Sequence, residues 1–265
     1  MQGKQIFIHC GYTRTGTTFL QQKVFPFFNG VDCLIRPQAI YEYSIYEEEK
    51  LKKQSNEEIS NFPNDKVLIS HEGLLAFNPI SQIDALWRIF PEATILITLR
   101  NQYDRIVGQY MKRVMLGVTA LDFMDDISLM KYKYISEGSY ETHLRSLHNR
   151  FQGRIHVALY EEMFGLPGGL NECVKKISEI LVTKYIGKGF DSAERINKSN
   201  TSLFDREGRF LCGETVNNKT GSHDGTVRER CRQKAFSFLS RAFCCQNERI
   251  VNELKIPLTE KYFVV

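Results

Sequence analysis

Four short apolar runs punctuate the first 160 residues: Gln5-Ile6-Phe7-Ile8-His9-Cys10, Lys66-Val67-Leu68-Ile69-Ser70, Ala93-Thr94-Ile95-Leu96-Ile97-Thr98-Leu99 and Arg154-Ile155-His156-Val157-Ala158-Leu159-Tyr160. They are nearly continuous rather than alternating, which is the pattern of parallel strands covered on both faces. Val31 to Pro37 reads as a further, edge strand. Between the runs lie stretches with helix spacing, about Thr17–Phe25 (ending near Pro26), Tyr41–Asn56, Ser81–Phe90, Tyr103–Leu116, Leu121–Met130 and Ser139–Arg150. After the turn Leu166-Pro167-Gly168-Gly169, a helix is expected to about Val182, because Leu170, Val174, Ile177 and Leu181 recur at three and four. A closing helix over about Thr226–Phe243 would place Val227, Cys231, Ala235, Phe238 and Ala242 on one face. The polar, glycine-rich segment 184–225 between these two helices reads as loop. Strand–helix–strand alternation of this kind predicts an α/β fold with a central parallel sheet flanked by helices.

Composition narrows the class. With 265 residues and 42% apolar content, the chain can bury one large core, so a single domain over 1–265 is expected, with 184–225 as a covering segment. The net charge of +4 is mild, and Lys and Arg are dispersed, which argues against nucleic acid and suits a small acidic ligand. Glu47-Glu48-Glu49 opposite Lys50, Lys52 and Lys53 reads as a solvated helix face. No run approaches the roughly 20 apolar residues of a membrane span, and the start Met1-Gln2-Gly3-Lys4 enters a strand directly, so a cytoplasmic protein is expected. The seven cysteines form no CxxC pair and share no zinc spacing with the six histidines, so buried thiols and no metal are expected. Nothing in the pattern calls for an obligate protein partner.

The chemistry begins where the first strand ends, in Gly11-Tyr12-Thr13-Arg14-Thr15-Gly16-Thr17-Thr18. Two glycines separated by four residues, followed by a helix start, make a turn whose backbone N–H groups face an anion. The spacing is that of a nucleotide-triphosphatase loop, which gives the fold a P-loop-like, three-layer expectation, but the Lys that should follow Gly16 is absent. Arg14 is the loop's cation and can fork onto one phosphate. In a parallel sheet the strand ends share one edge, so His71, Glu72 and Arg100 should converge on this loop. Those strand ends offer Glu72 and Arg100 where a magnesium-dependent nucleotide enzyme would offer Asp. A nucleoside-triphosphate-dependent kinase and a non-catalytic nucleotide-binding module remain the alternatives to group transfer.

The Gly11–Gln21 segment resembles the 5′-phosphosulfate loop of the sulfotransferases that use 3′-phosphoadenosine-5′-phosphosulfate (PAPS). Leu99-Arg100-Asn101-Gln102-Tyr103-Asp104-Arg105-Ile106-Val107-Gly108-Gln109-Tyr110 is similar to the family's 3′-phosphate motif, and Leu68–Leu74 to the second strand of bacterial and glycan-modifying members. The resemblance covers about Ile6 to Leu181. It implies transfer of a sulfuryl group from PAPS to a hydroxyl or amine, by in-line displacement, with PAP as product and no metal required. It further implies phosphosulfate contacts from Arg14, Thr15, Gly16, Thr17 and Thr18, and a grip on the 3′-phosphate by Arg100. The family's serine eight residues after that arginine is Gly108 here, which leaves Gln109 or a distant loop residue to replace it. Lys219 and Gly221 sit where glycan enzymes close a loop over adenosine, and Arg195 to Ser199 resemble a bacterial segment. Either His71 or Glu72 can serve as base, the Ser-x-Glu form favouring Glu72. Val157 to Met163 resembles a strand ending that is a structural feature of the family, and Arg105 is left between a phosphate contact and a pairing within its helix. The expected acceptor is a small molecule, saccharide or lipid-linked compound such as a glycolipid.

Overall fold

The computed structural model describes residues 3–37, 48–75, 79–190 and 224–263. Five strands, β1 (Gln5–Gly11), β2 (Val31–Ile35), β3 (Lys66–His71), β4 (Thr94–Leu99) and β5 (Ile155–Leu159), form one parallel sheet in the order β2-β3-β1-β4-β5. The chain is therefore α/β, with the weak run at Val31 on the edge, as its short and mixed composition predicts.

Both sheet faces are covered. Phe7, Leu68 and Leu96 point to one side, where Phe19, Leu20, Val24, Leu170, Val174, Ile177 and Leu181 close over them. On the other side Ile6, Ile8, Val67, Ile69, Ile95 and Ile97 are also buried. This explains why these strands read as unbroken apolar runs. Burial of each such side chain contributes roughly 1.5–3 kcal/mol, and Phe7→Ala would cost about 3–5 kcal/mol.

The described chain separates into two compact units. The first comprises Met1–Arg100 and Thr142–Ile196 and holds the sheet; the second comprises Asn101–Glu141 and Asn197–Val265. In the second, helices Gln102–Met115, Phe123–Leu129 and Lys131–Gly138 pack with Asp224–Asn252 around Tyr103, Tyr110, Phe123, Tyr134, Leu239 and Phe243. Asn101 caps the first of these helices by accepting from the N–H groups of Tyr103 and Asp104 at 3.0 and 3.1 Å. Asp126 is fully buried there and accepts from Tyr134 Oη at 2.8 Å while pairing with Arg113 at 3.2 Å.

Several elements differ from the expectation. The helix after the anion loop is α-helical only over Thr17–Phe19, widens to a π turn over Leu20–Val24 and tightens to a 3-10 turn over Phe25–Phe27. Pro26 carries no N–H and interrupts the regular ladder. The helix expected over Tyr41–Asn56 is described as Glu48–Ser60, its last turn anchored by the buried Ile59; residues 41–47 lie outside the described residues. The closing helix runs on to Asn252 because the buried stripe Cys231, Ala235, Leu239, Phe243 continues through Asn247 and Ile250. That stripe uses Leu239 and Phe243, leaving Phe238 and Ala242 half-buried beside it. No helix among the described residues is long and apolar enough to cross a membrane.

Candidate functional site

The sheet order reverses at β1, which lies between β3 and β4. Cys10 is in register with His71 on one side, and Gly11 with Thr98 on the other. The segment leaving Gly11 therefore rises from the switch point of the sheet, flanked by His71 and Glu72 at the end of β3 and by Arg100 at the end of β4. Crevices at such points are where open α/β sheets bind ligands.

Packing dictates the form of the loop. A Cβ on Gly11 would lie 2.1 Å from Thr98 Oγ1, so β4 fills the space that any other residue would need. Gly16 adopts φ 87°, and a Cβ there would also meet the Phe164 ring at 2.7 Å. Thr15 is fully buried; its hydroxyl donates to the Tyr12 carbonyl at 2.7 Å and hydrogen-bonds Thr98 Oγ1 at 2.9 Å. Its side chain pegs the loop to the sheet, and only its backbone is left to meet a ligand. Thr17 is buried and Thr18 half-buried.

Arg14 has φ 72°, in the left-handed region that costs a residue with a Cβ of order 1 kcal/mol or more. Its carbonyl accepts from Arg100 Nη1 at 2.9 Å. Arg100 is 9% exposed, and its guanidinium sits 4.1 Å from the centre of the Tyr160 ring, in cation–π contact. Two arginines from separate strand ends are thus joined through one peptide group, with an aromatic floor beneath the second.

At the end of β3, Glu72 opens a 3-10 turn, Glu72–Leu75, and its carboxylate pairs with Arg36, Oε1 at 2.8 Å and Oε2 at 3.0 Å from Nη2. His71 Nδ1 accepts the N–H of Gly73 at 2.8 Å, so the neutral ring carries its proton on Nε2. Burial pushes the His71 pKa below the usual histidine value; Glu72 opposes that shift and Arg36 adds to it. A neutral imidazole whose one acceptor nitrogen is occupied is poorly placed to take a proton, whereas Glu72 keeps acceptor capacity. Beneath the loop, Gln21 Nε2 donates to Ser70 Oγ at 3.0 Å, and Ser70 Oγ lies 2.8 Å from His9 Nδ1.

The structure thus brings together the Gly11–Thr18 loop, His71, Glu72 and Arg100, all in the first unit. Gly108 and Gln109 belong to the second unit, on helix Gln102–Met115, where Gln109 Nε2 donates to Glu137 Oε2 at 2.8 Å. Arg105, in the same helix, is 1% exposed; its Nη1 lies 3.5 Å from Glu137, and its guanidinium 5.7 Å from the centre of the Tyr140 ring. Lys219, Gly221 and the segment 195–199 lie outside the described residues. The sequence reading gives Tyr160 only a structural place in the strand ending Val157 to Met163, and it does not single out Arg36. The signal for each as a site residue is position, Tyr160 immediately after β5 and Arg36 immediately after β2.

Neither a protein-family model nor a curated protein matches the sequence. The structure is similar to that of a sulfotransferase from Alicyclobacillus acidocaldarius, with a TM-score of 0.67 over 97% of this chain and 98% of that one, at 14% sequence identity. It also matches a sulfotransferase domain from the curacin biosynthetic pathway (TM-score 0.48, 9% identity, 89% of this chain and 98% of that one). A third match is a sulfotransferase domain of the Synechococcus PCC 7002 olefin synthase (TM-score 0.42, 11% identity, 89% and 96%). The first of these establishes that the chain has the fold of a sulfotransferase.

Proposed function

We propose that this protein transfers a sulfuryl group from PAPS to a hydroxyl or amine of an acceptor, a saccharide or a lipid-linked compound. The observation that carries this reading is the Arg14–Arg100 junction at the switch point, set in a sulfotransferase fold. Donor chemistry fits the residues present. A 5′-phosphosulfate is an anion suited to a loop with a cation and helix-start N–H groups, and a 3′-phosphate is suited to a second guanidinium one strand away.

In this account the acceptor oxygen attacks sulfur in line with the bond to the 5′-phosphate. That sulfur–oxygen bond breaks, PAP departs with the electron pair, and the acceptor proton passes to the Glu72 carboxylate. Arg14 neutralises charge gathering on the leaving phosphate. Arg100, stacked on Tyr160, grips the 3′-phosphate. Thr17 and Thr18 supply further donors, and Thr15 and Gly16 give the loop its form.

The test is transfer of label from radiolabelled PAPS to a panel of saccharide, lipid-linked and small hydroxyl acceptors, in chelator. Labelled product without metal is the expected result. Magnesium-dependent binding of ATP with no transfer from PAPS would instead favour a kinase. PAP binding with no transfer to any acceptor would favour a binding module.

A further inference from the structure

Tyr12 opens the anion loop with its side chain turned into the protein. The residue is 2% exposed, and its hydroxyl is hydrogen-bonded to His143 Nδ1 at 2.6 Å. His143, on helix Tyr140–Phe151, is 4% exposed, and the two rings stack with centres 5.8 Å apart and planes at 24°. Both residues belong to the first unit. The bond joins positions 131 residues apart in the chain, and it ties the loop to an element other than β4, which holds it through Thr98 and through Arg100 at its end.

The burial pattern gives the loop the form of an arch. Tyr12 and Thr15 are buried, whereas Thr13 is exposed and Arg14 half-buried. Tyr12 and Thr15 are its feet, linked to each other where the Thr15 hydroxyl donates to the Tyr12 carbonyl, and Thr13 and Arg14 form its crest. Arg14 at the crest has φ 72°, and strain of this kind persists only where the surroundings over-determine it. One foot stands on Thr98 and the other on His143. A hydrogen bond between two buried side chains is costly to leave half-made, so each ring specifies the place of the other.

We propose, resting on the sulfuryl-transfer reading, that His143 is a positioning residue for the donor site. By holding the Tyr12 ring it keeps the Thr13–Arg14 crest in the conformation that receives the 5′-phosphosulfate, so binding does not have to order the loop. His143 touches neither donor nor acceptor in this account. It acts through Tyr12.

Three variants of the full chain test this. Tyr12→Phe keeps the ring and removes the hydroxyl, His143→Ala removes the partner, and His143→Asn keeps a hydrogen-bonding group at the place of Nδ1. Calorimetric titration of PAP should show binding about tenfold weaker in Tyr12→Phe and in His143→Ala, the effect of one buried hydrogen bond left unmade, with most of the affinity regained in His143→Asn. The double variant Tyr12→Phe/His143→Ala should bind no more weakly than the poorer single one, because the bond can be lost only once. A merely structural role would lower the urea midpoint and leave the PAP affinity of the folded protein alone. Wild-type PAP affinity in Tyr12→Phe and His143→Ala therefore overturns the proposal, and Tyr12→Phe alone decides if His143→Ala does not fold. Amide hydrogen exchange over residues 11–18 keeps the claim separate from the identity of the donor: without ligand it should quicken about tenfold in Tyr12→Phe, the sheet being unchanged. A wild type that binds no PAP counts against the sulfuryl-transfer reading, whereas equal loop exchange in wild type and Tyr12→Phe counts against His143 as the residue that holds the loop.

Discussion

Arg100 donates from Nη1 to the carbonyl oxygen of Arg14 across 2.9 Å, binding the end of β4 to the anion loop that leaves β1. The contact fixes two cations on one crevice. It also gives a physical reason for the left-handed backbone of Arg14, since that turn presents the carbonyl to Arg100.

Arg14→Ala should lower single-turnover sulfuryl transfer by about 10²–10³, the loss expected for one transition-state donor, and Arg14→Lys should lower it less. Both replacements keep a Cβ at φ 72°, so they share the backbone demand of the arginine. A near-normal rate for the alanine variant removes Arg14 from catalysis.

Glu72→Gln keeps shape and removes the base, so PAP affinity should be retained while the rate falls at least about 10²-fold. His71→Ala should lose less, because His71 Nδ1 is already bonded to the Gly73 N–H. Single-turnover transfer at saturating PAPS compares them. An active Glu72→Gln beside an inactive His71→Ala would reverse the roles.

Most of this site could be read before the structure, because parallel strands place their ends on one edge whatever the sequence distance. Gly11, Glu72 and Arg100 are separated by many residues, yet each follows an apolar run that could be recognised. Tyr160 and Arg36 could not be read in the same way. Tyr160 becomes meaningful only once β5 is seen beside β4, which puts its ring under Arg100. Arg36 acts through a pairing across strands, from the end of β2 to the end of β3. The short helices Lys131–Gly138 and Tyr160–Gly165 were also missed, since one or two turns carry too few apolar positions to display a period. Thr15 reads as a ligand contact by its place in the loop, whereas its hydroxyl is turned into the sheet.

Thr15→Val tests that inward peg. The replacement is nearly isosteric but removes the hydrogen bonds to the Tyr12 carbonyl and Thr98, and should cost about 1–3 kcal/mol for groups left unsatisfied in the interior. Urea unfolding of the two proteins measures it. An unchanged midpoint would show that the hydroxyl does not anchor the loop.

His9 predicts an acid-sensitive core. Burial lowers its pKa to about 3, so the folded chain holds the ring neutral where the unfolded chain protonates it near 6.5. Between those values the unfolded state binds more protons, so stability rises with pH and is lost as pH falls. From pH 7 to pH 5 this group alone should remove about 2 kcal/mol. The stability difference between wild type and His9→Gln should shift toward the variant by that amount, by urea unfolding at the two pH values. A difference independent of pH would contradict a neutral buried His9.

The central claim is that the Arg14–Arg100 crevice is built for a nucleotide carrying a 3′-phosphate. Calorimetric titration of PAP and of adenosine 5′-phosphate, each in chelator, tests it most directly. PAP should bind about tenfold or more tightly, the worth of a charge-assisted arginine–phosphate contact, and the advantage should vanish in Arg100→Ala. Equal affinity for the two nucleotides in the wild type, or binding that appears only when metal is added, would contradict the account.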